Sequence, residues 1–410
     1  MMVKKKILMV TQVHPFPPHD GGRADIFRRL QALNELGYET ELIAFYNPQF
    51  PPKNQVEQLP CSKVHAIPWF RRKLTKALQI TPYSIACREN PSKIQDIIED
   101  IQRRRHSFDC IIAESMHVLP TALGLKQQLP IASAVLRMHN NEPTFFRGLS
   151  QSSSWNSIEK YFFLAESIKY RLYEAQALRP CEFSAQLDHI AHISQEEYVD
   201  YSKRYPHIPQ SFVPPAIDLK QLKPYVASTT KRVLFVGNLS APNNIDGIDW
   251  FLRTVHPKIT NKVPGYQFCI AGNTHGANSA RLKAWFGRHS QVQFIDSPHS
   301  LAEIYQEACV FVNPMRFGAG VKLKTIDAVL HGVPIVTTPC GNQGTGMKQN
   351  QHLLTASTSD DFANSILSLL NHESQRNAIG LSSQSYLLAE YDQKRCLQRL
   401  FNTLSSPLNS

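Results

Sequence analysis

The residues best placed to do chemistry fall in one stretch, Asn313-Pro314-Met315-Arg316-Phe317-Gly318-Ala319-Gly320-Val321-Lys322-Leu323-Lys324-Thr325-Ile326-Asp327-Ala328. An apolar run ends at Asn313, a glycine-bearing turn follows, and helical spacing begins near Val321. Free backbone N–H groups and the helix dipole make such a helix start an anion site. Arg316, Lys322 and Lys324 add positive charge, and Gly318 and Gly320 allow close backbone approach. Asp327 lies four residues after Leu323 and five after Lys322. One helix could therefore offer a phosphate site at its start and a carboxylate for hydroxyls further in. The plainer alternative is an ordinary strand-to-helix turn with solvated lysines. A Walker loop is absent, and Leu323 stands where the third glycine of a dinucleotide fingerprint belongs.

The elements that must position this stretch repeat along the chain. Ile7 to Val10 reads as a first strand, Asp20-Gly21-Gly22 as a turn, and Ala24, Phe27, Leu30, Leu33 and Leu36 as one helical stripe. Gly37 sits at a C-cap position, and Glu39 to Tyr46 alternates into a second strand. Helix is expected over 92–104, strand over 109–113 and 131–136, helix over 155–178 with Tyr161, Leu164, Ile168 and Leu172 on one stripe, and strand over 188–194. A boundary falls near Pro214-Pro215. Beyond it strands are expected at 232–237, 267–272, 292–295, 310–313 and 334–338. Helices are expected at 245–259, 300–308, 321–330 and 360–370. A terminal helix over 374–404 offers Tyr386, Leu387, Tyr391, Cys396, Leu397, Leu400 and Phe401 as apolar contacts. Strands alternating with helices imply parallel sheets, here two doubly wound α/β domains in tandem.

Composition narrows the class further. The 410 residues suit two or three domains, and 42% apolar with 19% charged residues is ordinary for a globular protein. Lys plus Arg is 44 against 33 for Asp plus Glu, a net charge of +11 that favours an anionic partner. Apolar runs are too short for a membrane span, and the four apolar residues after Lys4-Lys5-Lys6 are too few for a signal peptide. The eight cysteines are scattered with no CxxC, which fits reduced, mostly buried thiols and a cytoplasmic setting. Basic residues are not interleaved with any nucleic-acid-binding motif, so no nucleic-acid partner is expected.

Together the stretches Val233–Gly237, Arg316–Gly320 and Gly332–Val336, with Gly21-Gly22, His139-Asn140-Asn141-Glu142, Glu174 and Ser194, are in an order and spacing that resembles the GT-B glycosyltransferases, family 4 (glycosyl transferases group 1), in a subgroup carrying Arg-Phe-Gly-Ala-Gly-Val-Lys. The resemblance implies two Rossmann-like domains facing a central cleft. An acceptor-binding domain would span 1–213 and a nucleotide-sugar domain 214–385, with 386–410 a helix returning to the first. It implies transfer of a sugar from a UDP- or GDP-linked donor, a co-substrate and not a bound cofactor, to a glycan or lipid-linked acceptor in polysaccharide assembly.

Roles follow by position. Asp327 matches the second glutamate of the family's pair, which holds the ribose. Gly320, Val321, Lys322 and Leu323 match backbone that meets the diphosphate, with Gly237, Asn238 and Gly318 also on the donor side. Gly21 and Gly22, with His19 and Glu142 nearby, match the loop facing donor and acceptor, and His139 the histidine that meets the donor sugar. There are two departures. The first glutamate falls at Ala319, and Asn238, Ser240 and Asn243 stand where a basic pair belongs. Lys322 or Arg316 could neutralise the leaving diphosphate instead. With His139, they are the expected catalytic set. A helix start plus Lys or Arg does this without a metal, and no DxD motif occurs. Retention of configuration is implied, with no enzymic base. An inverting reaction would need one, from His139, Glu142 or His117.

Other readings stay open. A nucleotide-sugar epimerase or hydrolase could use the same fold, and a catalytically impaired nucleotide-binding or scaffold protein would suit Ala319. His14 and His19 follow a strand and could face an acceptor, or be structural. Asp188-His189-Ile190-Ala191-His192 has no metal-ligand spacing. Trp69–Lys76 combines aromatics with four cations and could make peripheral contact with the inner face of an anionic membrane, or be a basic loop. Arg103-Arg104-Arg105 suits a helix C-terminus.

Overall fold

A computed structural model describes residues 5–18, 21–52, 58–70, 79–153, 157–182, 186–226, 228, 230–274, 279–318 and 320–405. The chain divides into two compact units, 1–217 with 391–410, and 218–390.

The first unit runs β1 (Lys6–Thr11), α1 (Gly21–Glu35), β2 (Glu39–Tyr46), β3 (Lys63–Pro68), α2 (Tyr83–Ala86), α3 (Pro91–Arg103), β4 (Phe108–Ala113), α4 (Leu119–Gln128), β5 (Ile131–Met138), α5 (Glu142–Ser152), α6 (Ile158–Leu178), β6 (His189–His192), α7 (Gln195–Arg204) and β7 (Gln210–Phe212). Its seven strands order as β3-β2-β1-β4-β5-β6-β7, all parallel. Alternate residues of β1 serve opposite faces, as strand geometry requires. Leu8 and Val10 join a core with α3, α4 and α6, while Ile7 and Met9 join one with α1 and the C-terminal segment. Burial on both faces explains the near-continuous apolar runs.

The second unit runs β8 (Arg232–Val236), α8 (Pro242–Trp250), a π-helical turn (Phe251–Val255), α9 (His256–Thr260), β9 (Gln267–Gly272), α10 (Ser279–Phe286), β10 (Val292–Asp296), α11 (Leu301–Gln306), β11 (Val310–Asn313), α12 (Leu323–Leu330), β12 (Ile335–Thr337), α13 (Pro339–Asn342), β13 (Leu354–Thr355), α14 (Ser359–Asn371) and α15 (Glu373–Glu390). Its sheet order is β10-β9-β8-β11-β12-β13, again parallel. The chain then forms α16 (Gln393–Ser405), which belongs to the first unit. There Lys394 pairs with Glu35 at 2.5 Å, and the Phe401 ring meets Tyr38 with centroids 4.9 Å apart.

Two expectations need correction. The helix expected over 155–178 starts at Ile158, after a separate α5. Its stripe of Tyr161, Leu164, Ile168 and Leu172 is exposed, and the helix buries Glu166, Ser167, Tyr170 and Glu174 instead. Periodicity located the helix but could not say which face meets the sheet. The helix expected over 374–404 is broken after Glu390, where the chain passes between the two units.

All eight cysteines are free thiols, five of them buried. Among the described residues, no helix is long and apolar enough to cross a membrane.

Candidate functional site

In each sheet the strand order reverses once, between β1 and β4 and between β8 and β11. Ligands of open parallel sheets gather beyond the carboxyl ends of strands at that point. In the second unit the loops there are 237–241 and 314–322.

The two loops interlock. Asn313, fully buried, donates to Thr325 Oγ1 at 2.9 Å and to the Gly341 carbonyl at 3.0 Å, fixing the end of β11 to the start of α12. Gly318 (φ 137°) and Gly320 (φ 74°) hold left-handed conformations that other residues adopt only under strain. Lys322 is the N-cap of α12, and its buried ammonium donates to the carbonyls of Gly318 at 3.1 Å and Gly320 at 2.7 Å. Val321 and Leu323 flank it, both partly buried. Lys322 thus braces the loop that presents the helix start. Arg316 lies at the edge, in a two-bond pair with Asp246 at 2.6 and 2.9 Å. Asp327 is exposed, one turn into α12.

Lys324 is partly buried between the two loops. Its ammonium bonds the Asn244 side-chain oxygen, lies 4.9 Å from the centre of the Phe235 ring, and comes within 3.2 Å of where a Cβ on Gly237 would sit. Burial, then the like charge of Lys322, lowers its pKa to about 7. Asn244 in turn donates to the Asn238 carbonyl at 2.7 Å. A Cβ on Gly318 would lie 3.0 Å from the Asn243 amide nitrogen. The Asn244 amide of α8 and a lysine from α12 therefore converge beside Gly237, and the Asn243 amide lies beside Gly318.

In the first unit, Gly21 and Gly22 open α1 and are exposed. Beneath them is a buried ionic network. Asp25 pairs with Arg29 at 2.5 Å and Arg137 at 3.4 Å, and accepts the Ala216 N–H at 2.5 Å. Glu114, at the end of β4, pairs with Arg29 at 3.0 Å and with His139 Nε2 at 2.7 Å. Arg137 donates to the carbonyls of Val213 and Pro214 at 2.7 and 3.1 Å, and Gln393 of α16 donates to Pro214 at 3.1 Å. Asp25, Glu114 and His139 each offer a ligand atom within 4.8 Å of the others. The carboxylates already face Arg29 and Arg137, so a divalent cation would sit among two guanidinium groups, and the set acts as an ion-pair network.

Glu142, at the first position of α5, is buried 4.0 Å from His117 Nε2. Burial, then the neighbouring charge of Glu197, pushes its carboxyl up to about 8. Burial likewise lowers the His117 pKa, with Arg88 and His139 adding to it. His14 is buried, its Nδ1 2.9 Å from the Phe16 carbonyl oxygen.

Of the expected residues, Gly237, Asn238, Gly318, Gly320, Val321, Lys322, Leu323, Arg316 and Asp327 share one end of the second sheet. Gly21, Gly22, His139 and Glu142 share one end of the first. His19, Ala319 and, beyond Phe70, the rest of Trp69–Lys76 lie outside the described residues. Glu174 binds Tyr201 and Arg204, and Ser194 caps α7. Asp25, Arg29, Glu114 and Arg137 were not singled out from sequence. Their four-residue spacing on α1 and their places at strand ends are common, and only the fold brings them together.

Residues 230–372 match the family described as glycosyl transferases group 1. A Klebsiella pneumoniae protein described as an uncharacterized 44.6 kDa protein in the cps region is 29% identical over 413 residues, 97% of this chain and 99% of that one. Among solved structures, HepE from Anabaena in complex with UDP has a TM-score of 0.65 at 13% identity, covering 98% of this chain and 99% of that one. A TarM variant from S. aureus in complex with fondaparinux, alpha-GlcNAc-glycerol and UDP has a TM-score of 0.63 at 10% identity, covering 98% and 100%. The pneumococcal O-GlcNAc transferase GtfA in complex with UDP and GlcNAc has a TM-score of 0.61 at 11% identity, covering 99% and 100%. The chain is a glycosyltransferase of the GT-B fold, and its second unit matches glycosyl transferases group 1 over residues 230–372.

Proposed function

We propose that this glycosyltransferase moves a sugar from a nucleotide-linked donor to a glycan or lipid-linked acceptor, with retention at the anomeric carbon and without a metal or other cofactor. The observation that carries this reading is the convergence of Lys324, the Asn244 side chain and the start of α12 beside Gly237, with the Asn243 amide beside Gly318. UDP is favoured over GDP because HepE, TarM and GtfA were each solved with UDP. The cps-region relative agrees with an acceptor in glycan assembly.

The reaction breaks the bond between the sugar's anomeric carbon and the β-phosphate oxygen, whose electron pair leaves with the diphosphate. The acceptor hydroxyl forms the new bond on the same face, and its proton passes to a departing phosphate oxygen. Negative charge grows on the diphosphate as the bond breaks, and fixed donors at that point lower the barrier. Lys324 supplies the cation. Its pKa of about 7 rises beside a diphosphate, so it takes up a proton as the donor binds. Lys322 holds Gly318 and Gly320 in the shape that presents the N–H groups of α12, and Arg316 stands at the rim. Asp327 accepts the ribose hydroxyls. In the first unit, Glu114 orients His139, and Gly21 and Gly22 open α1.

The test is release of nucleoside diphosphate from UDP- and GDP-sugars, with and without glycan acceptors. Acceptor-dependent release of one nucleotide is expected. Equal release without acceptor would favour a hydrolase, and conversion of the donor sugar with no net release would favour an epimerase. Binding without turnover under any acceptor would favour the scaffold reading that Ala319 suggests.

A further inference from the structure

A groove of about 710 Å³ runs between α8, with its π-helical turn, and α10, within the second unit. Ligand sites have volumes of this order. One wall carries Asp246, Asp249 and Arg253, at helical steps of three and four residues. The other carries Arg281, Trp285 and Arg288. Leu239 and Ser240 also line it, so the groove opens beside the loop that carries Gly237.

The charges of the groove do not cancel. Asp249 pairs with Arg253 at 2.8 Å, and Asp246 with Arg316 at 2.6 Å, so both carboxylates already face a guanidinium. Arg281 and Arg288 are exposed, and neither has a carboxylate partner among the described residues. Two guanidinium forks are thus left over on one wall. Each fork matches a carboxylate through two parallel N–H bonds. Trp285 lies between them in sequence. It is half-buried, with its ring 4.7 Å from that of the buried Phe286, which fixes the indole in the wall. A fixed aromatic ring offers contact area to the C–H face of a sugar at little entropic cost.

Shape and chemistry select the occupant. A concave groove admits a chain and excludes a flat bilayer. The arginines belong to no nucleic-acid-binding motif. A glycan that carries carboxylates supplies both the planar anions and the ring faces.

We propose that the groove between α8 and α10 holds a carboxylate-bearing glycan chain, with Arg281 and Arg288 on its carboxylates and a sugar ring on Trp285. The choice of a glycan rests on the transfer reading, because a chain lying there starts beside the donor loop. The anion binding itself is independent of donor chemistry.

The test is calorimetric titration of the full chain with oligogalacturonate, with its methyl ester, which has the same backbone without charge, and with polyglutamate. Arg281→Ala/Arg288→Ala and Trp285→Leu are compared with wild type. Arg103→Ala/Arg105→Ala, which removes the same charge from exposed positions at the end of α3, is the control. Circular dichroism and UDP binding report on folding and on the donor site. Wild type should bind oligogalacturonate saturably, and the ester roughly tenfold or more weakly. Arg281→Ala/Arg288→Ala should lose roughly tenfold or more, Trp285→Leu about threefold, and the control less than about twofold, with fold and UDP binding kept. No binding of oligogalacturonate, equal binding of the ester, or an equal loss in the control would overturn the proposal. So would polyglutamate bound as tightly, since the groove would then fit an acidic protein chain. Failure of the transfer reading would show separately, as no nucleotide release from any donor.

Discussion

His139 donates through Nε2 to the Glu114 carboxylate at 2.7 Å, and both side chains are buried. The same carboxylate faces Arg29, which also binds Asp25. The histidine expected to meet the donor sugar is therefore oriented by a network that also holds residues 213–216 and α16. Glu114→Gln leaves two guanidinium groups with one carboxylate. Breaking a buried pair in this way costs about 3–5 kcal/mol. Urea unfolding should show a loss of that order, against almost none for Lys203→Ala on exposed α7. A loss below about 1 kcal/mol would mean that the network is not holding the fold.

The network also sets an acid limit. Burial raises the Asp25 carboxyl, but Arg29, Arg137, His139 and the Ala216 N–H outweigh it and hold it well below the usual range. Glu114 is lowered in the same sense, with Arg29 the largest opposing charge to its burial. A carboxyl depressed in the folded state adds stability above its unfolded pKa, and that stability is lost as pH falls toward the folded value. Thermal unfolding temperatures should fall below about pH 4. In Asp25→Asn the acid-dependent fall should be shallower, from a lower starting point.

Glu142 behaves in the opposite way. With its carboxyl at about 8 in the fold and near 4.5 when unfolded, the folded state keeps a proton that the unfolded chain releases. Stability contributed by this group falls as pH rises through that window and levels off above it. Glu142→Gln should gain stability over wild type as pH rises from 5 to 8, on the order of 2 kcal/mol at the top. Thermal melts at pH 5 and pH 8 give the comparison. Equal differences at both would show that Glu142 is ionised in the fold.

Lys324 carries the pH dependence of donor binding. A diphosphate favours the charged ammonium, so affinity should fall as pH rises above about 7, by up to tenfold per unit. Titrations in buffers of different ionisation enthalpy should detect proton uptake at pH 8. Lys324→Ala should weaken binding more than tenfold and abolish the uptake. Arg316→Ala, which breaks an exposed pair with Asp246, should have the smaller effect.

Much of this site was legible in the sequence. Glycines after an apolar run marked the turn into α12, because left-handed turns demand glycine, and lysines gathered at a helix start, where the dipole disfavours them, pointed to an anion. The strands that carry the site were legible for a related reason, since sheets buried on both faces leave long apolar runs. Two things were not. The buried face of α6 carries Glu166, Ser167, Tyr170 and Glu174, which a hydrophobic pattern assigns to solvent, and the apolar face is exposed. The place of Lys324 was also hidden. Lys322 and Lys324 differ in sequence by two residues, but one closes on its own loop and the other reaches Asn244.

The central claim is that the second unit binds a nucleotide-sugar at the start of α12. Calorimetric titration with UDP, GDP, ADP and their sugar conjugates, at low and high salt, tests it most directly. The account predicts saturable binding of one nucleotide, most simply UDP, that survives high salt and is lost in Lys324→Ala and Asp327→Ala. Binding to none, or to all alike with affinity that collapses in salt, would contradict it.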